Sequence, residues 1–107
     1  MTRFGVGLAA LAVAALWSGG ALADSIDGLW CSKNRTMSID GPTIITPGGH
    51  QITGDYERHY FFYTVPANEP SAGAAVRMQL VNEETVAMWT EPGPTEAEVW
   101  KRCKPIA

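Results

Sequence analysis

Twelve residues, Gly54-Asp55-Tyr56-Glu57-Arg58-His59-Tyr60-Phe61-Phe62-Tyr63-Thr64-Val65, hold five of the eight aromatic side chains that follow residue 23. The run is rich in β-formers and ends at Val65-Pro66, so a strand fits better than a helix. With a period of two, Tyr56, Arg58, Tyr60, Phe62 and Thr64 share one face. Glu57, His59, Phe61, Tyr63 and Val65 share the other. Rings on both faces predict one long central strand covered on each side. Gly54 marks a bulge or tight bend at its start.

The chain begins with a targeting pattern. Arg3 supplies a positive charge, residues 6–17 are apolar apart from Gly7, and Ala21-Leu22-Ala23 fits a small-x-small cleavage site. The apolar run is about 12 residues, short of the roughly 20 that span a bilayer as a helix. Residues 1–23 therefore read as a cleaved signal peptide and 24–107 as one small domain with no stable membrane span. The destination is the periplasm or the extracellular space. A domain this small buries a low fraction of its surface and usually needs a staple. Its two cysteines, Cys31 and Cys103, lie near its ends, and an even pair in an exported chain predicts a disulfide.

The rest reads as short strands between turns. Residues 28–32 form the first. Met37 and Ile39 alternate inward over residues 36–40, and Asp40-Gly41-Pro42 turns the chain. Residues 43–46 and 50–53 flank Pro47-Gly48-Gly49. After the aromatic run, residues 66–74 read as a mobile loop of Pro, Gly, Ser, Ala and Asn. Val76, Met78 and Leu80 point inward from the next strand, which pairs with residues 85–90 as a hairpin, and residues 97–103 close the chain. The fold class is all-β: an antiparallel meander of seven or eight strands, closed or nearly closed into a barrel. Strand register places Trp30 opposite Cys31 and Trp100 opposite Cys103. If the tryptophans fill the interior, the disulfide lies outside or at a barrel end.

Charge and motifs narrow the function by exclusion. Without Arg3 the domain carries seven Lys and Arg against eleven Asp and Glu, with no clustered basic footprint for nucleic acid. No cofactor motif and no nucleophile elbow is present. Glu57 and His59 could share a strand face, with His50 as a third metal ligand from a neighbouring strand. The blander reading of that set is a solvated face, and no catalytic, cofactor or metal residue is assigned. Recognition falls to aromatic and charged side chains of the central run and the hairpin: Tyr56, Arg58, His59, Tyr60 and Trp89.

Gly28-Leu29-Trp30 on the first strand, with Arg102 near the end of the last, resembles the calycin pattern of lipocalins. The resemblance implies that Trp30 closes one barrel end and that Arg102 packs across it. In size the chain is more similar to small periplasmic lipocalin-like proteins, which include bacterial inhibitors of lysozymes and of secreted metalloproteases. No inhibitor motif carries over residue by residue, so the analogy concerns the fold. The expected function is binding, as a protein-binding or inhibitor module rather than an enzyme. The alternatives are a carrier for a small apolar ligand, then a His-dependent site. The expected loops for a partner are residues 66–74 and 92–96.

Overall fold

Alternating segments separated by turns make nine antiparallel strands: β1 (Gly28–Ser32), β2 (Arg35–Asp40), β3 (Thr43–Ile45), β4 (Gln51–Thr53), β5 (Asp55–Glu57), β6 (Tyr60–Thr64), β7 (Ala75–Asn82), β8 (Thr85–Glu91) and β9 (Glu98–Arg102). The computed structural model describes residues 25–104, and the expected signal peptide lies outside them. Among the described residues there is no helix, and so none long and apolar enough to cross a membrane.

The strand order is β4-β3-β2-β1-β9-β8-β7-β6-β5, so the last strand returns to pair with the first. β4 and β5 stand at opposite ends of that order, yet Gly54 alone separates them in the chain. They are two halves of one kinked strand. The first half pairs with β3 and the second with β6, which brings the sheet round into a nearly closed barrel. Gly54 donates its amide to Pro42 O at 2.9 Å. A Cβ there would stand 2.5 Å from both the Phe61 ring and Phe62 O, so glycine is required at the bend. With the bend at Gly54 the expected segments number eight, and the ninth strand comes from the division of the aromatic run into β5 and β6.

The long central strand does not form. Residues 55–64 are a hairpin that turns at Arg58-His59, pairing Tyr56 with Phe61 and Glu57 with Tyr60. The turn resets the alternation, so Tyr56 and Phe61 meet inside the barrel, edge to face at 6.5 Å. Neither glycine nor proline marks this turn. Its carbonyls are held from outside: Ile26 N donates to Arg58 O and Leu80 N to His59 O.

Elsewhere the period of two holds except in β8, where Thr85, Val86, Ala87 and Met88 are buried in succession. Trp30, Met37, Ile39, Ile44, Phe61, Tyr63, Val76, Met78, Val86, Met88 and Trp100 are buried in one core. Trp30, Trp100 and Phe61 have no exposure at all, so side chains fill the interior. Cys31 and Cys103 are bonded, with Cα atoms 5.0 Å apart. The bridge lies on the outer wall, as the register requires once the tryptophans point in. It reinforces the β1–β9 seam, where Trp30 opposes Arg102 and Cys31 opposes Lys101.

Candidate functional site

The two ends of the barrel carry different chemistry. At one end Trp30 plugs the interior, its indole N–H donating to Ile26 O at 2.9 Å. Arg102 lies over that ring, 4.2 Å from its centre. Its guanidinium donates to three carbonyls, those of Asp27 (2.7 Å), Ser25 (2.8 Å) and Glu83 (2.8 Å). Gly28, at φ 130°, leaves the space the guanidinium occupies. Asp27 accepts from Gly41 N at 2.6 Å, from Ser25 Oγ at 2.7 Å and from the Tyr56 hydroxyl. Burial alone would raise the Asp27 pKa, but the bonds from Gly41, Tyr56 and Ser25 outweigh it and hold the carboxyl below its ordinary value. The same bond to Asp27, reinforced by burial, raises the Tyr56 hydroxyl. This end is sealed.

The other end stays open as a cleft of about 310 Å³, lined by Arg35, Tyr63, Val65, Glu69, Met88 and Glu98 among others. Glu98 begins β9 on the inward face and accepts from Ser32 Oγ at 3.0 Å and from Arg35. Burial pushes its pKa up, yet those two bonds and the charge of Arg35 leave it below the usual value. Arg35 also stands over the buried Trp100 ring, 5.0 Å from its centre. On the opposite rim Glu69 accepts from Thr46 Oγ1 and meets His50 Nδ1 at 2.7 Å, both on Oε2. Thr46 is buried and organises the turn between β3 and β4, accepting from His50 N at 3.2 Å. Burial and then the charge of Glu69 push the Tyr63 hydroxyl up to about 12.

The loop after β6, which reads as mobile from its composition, is tethered. Val65 and Ala74 bond across its base, Gly73 N returns to Val65 O, and Glu69 pins its crest to the neighbouring turn. Glu69 is the site residue that sequence reasoning missed. Its partners lie 19 and 23 residues away, and only its place as the single acid of a Pro- and Gly-rich loop could have singled it out.

The expected recognition residues do not form one surface. Tyr56 belongs to the sealed end, and Arg58 and His59 form the turn beside it. Tyr60 and Trp89 face outward from the wall. Arg77, paired with Phe62 and Trp89, lies 4.5 Å from the centre of the Trp89 ring. The metal trio is also split, because His50 is at the open mouth while Glu57 and His59 are at the sealed end. Among the described residues no group of three or more His, Cys, Asp or Glu could hold a metal ion. No protein-family model, curated protein or solved structure matches the chain.

Proposed function

We propose that this chain is an exported binding module that engages a protein partner, as an inhibitor or adaptor would, at the open mouth of its barrel. The observation that carries this reading is a filled interior together with a mouth cleft that has apolar walls, Tyr63, Val65, Val76 and Met88, and charged residues, Arg35, Glu69 and Glu98. Connections at the sealed end are two residues long, at 41–42, 58–59 and 83–84. At the mouth the β1–β2 turn, 33–34, is equally short, but residues 46–50, 65–74 and 92–97 make longer connections, and the first two of these line the cleft. Longer loops on a rigid scaffold are where binding residues concentrate, and barrel mouths are common binding sites. The disulfide accords with an oxidising compartment. A carrier for a small apolar ligand fits less well, since Trp30, Trp100 and Phe61 occupy the space such a ligand needs.

The test is capture from an exported-protein fraction on immobilised chain, with partners identified by mass spectrometry. Thr90→Trp, which puts an indole into the mouth cleft without changing its charge, should abolish retention of a specific protein. Glu83→Lys, at the sealed end, should leave it intact. Equal retention by both variants, or retention of a small molecule and no protein, would overturn the proposal.

A further inference from the structure

The cleft at the mouth has apolar walls and acidic rims. Tyr63, Val65, Val76 and Met88 line it, and Glu69 and Glu98 line it with them. Among the residues lining the cleft Arg35 is the one permanent cation, and Glu98 already holds it. The cleft is therefore acidic in net terms, within a chain of net charge −3.

Glu69 is the sharper feature. Its side chain is only 7% exposed, against 38% for His50. It packs over Gly48 so tightly that any Cβ there would collide with the carboxylate. Thr46 and His50 both approach Oε2, leaving the carboxylate without a permanent cation among the described residues that line the cleft. A buried carboxylate is costly until a cation offsets its lost hydration. An anionic ligand would have to separate Arg35 from Glu98 and then sit near Glu69. A cation with an apolar stem meets neither obstacle. Lysine and arginine side chains have that form, an aliphatic stem that lies along apolar surface and a charged head.

We propose that the mouth takes a lysine or arginine side chain of the protein partner, its stem against Tyr63, Val76 and Met88 and its head at Glu69. This rests on the protein-binding reading and adds the chemistry of recognition. The Tyr63 hydroxyl stays protonated at neutral pH and adds a neutral hydrogen-bonding group to the same cleft.

The experiment is an NMR titration of the oxidised, exported protein with a short, end-blocked peptide carrying one lysine. The control is the same peptide with norleucine, which keeps the stem and removes the charge. The lysine peptide should shift the signals of Tyr63, Val76 and Met88 and bind at least tenfold more tightly than the norleucine peptide. Glu69→Gln should weaken it at least tenfold, and Glu83→Gln, a matched charge loss at the sealed end, should not. Should Glu69→Gln fail to fold, the lysine-norleucine comparison on the unaltered protein still decides. Equal binding of the two peptides, or no binding of either, overturns the proposal. n-Butylammonium binding tenfold more tightly than the lysine peptide would assign the cleft to a free amine and overturn the protein side chain. Failure of the peptide while Thr90→Trp still abolishes capture removes the cation and keeps the binding module. Peptide binding with no captured protein supports the cation chemistry and removes the module.

Discussion

At the sealed end of the barrel, charge is spent on backbone. At the mouth, charge meets charge. Arg102 gives its donors to the carbonyls of Ser25, Asp27 and Glu83, and Asp27 takes the amide of Gly41. Each of those bonds fixes the course of the chain, so the end is rigid and tight two-residue turns suffice. Arg35, Ser32 and Glu98 bond to one another through side chains, and Glu69 bonds to Thr46 and His50. Side-chain partners can be exchanged for those of another molecule without unravelling a strand. One end therefore holds the barrel shut, and the other is free to be selected for recognition.

The largest test of this contrast is Trp30→Ala. Emptying a fully buried indole site should cost roughly 3–5 kcal/mol in urea unfolding. A loss below about 1 kcal/mol would mean that the sealed end does not hold the barrel. Reducing Cys31–Cys103 should come next, lowering stability by roughly 2–4 kcal/mol through a 72-residue separation. The readout is the denaturation midpoint with and without reductant, and an unchanged midpoint would remove the seam from the account. Gly54→Ala forces a methyl against the Phe61 ring and Phe62 O. Overpacking of that kind costs roughly 1–3 kcal/mol, and neutrality would show that the kink tolerates a side chain.

A smaller effect is expected in acid. The folded-state pKa of Asp27 lies below its ordinary 3.8, so the unfolded chain binds the proton more readily. The stability contributed by Asp27 is present above that value and is lost as pH falls through the folded pKa. Asp27→Asn should flatten this part of the acid limb, whereas identical limbs in the two proteins would remove Asp27 from it. Smallest of all is Arg35→Ala. Its pair with Glu98 is largely exposed, and such pairs contribute about 0–1 kcal/mol. Thermal unfolding should barely move. A stability loss above about 2 kcal/mol would mean that the mouth is structural after all.

Much of the fold is legible because a strand's alternation is local. Met37 and Ile39, or Val76, Met78 and Leu80, declare their face from neighbours two residues away, and the structure packs them inward. The disulfide follows from only two cysteines in a domain whose sequence reads as exported. The candidate site is less so. Tyr60 and Trp89 stand on the wall, while the mouth is built by Arg35, Glu69 and Glu98, which no local pattern distinguishes from solvated charge.

The sequence by itself determines the all-β class, the inward set of most strands, the need for a bend at Gly54 and the pairing of Cys31 with Cys103. Only the tertiary structure decides that residues 55–64 fold back at Arg58-His59. That turn has no glycine or proline, and its carbonyls are held by Ile26 and Leu80 from elsewhere in the barrel. It also decides that Arg35 meets Glu98 across 63 residues and that Glu69 meets His50 across 19. The physical reason is the same in each case. Alternation specifies which face a side chain takes, but closure and register specify what it faces, and both depend on every strand at once.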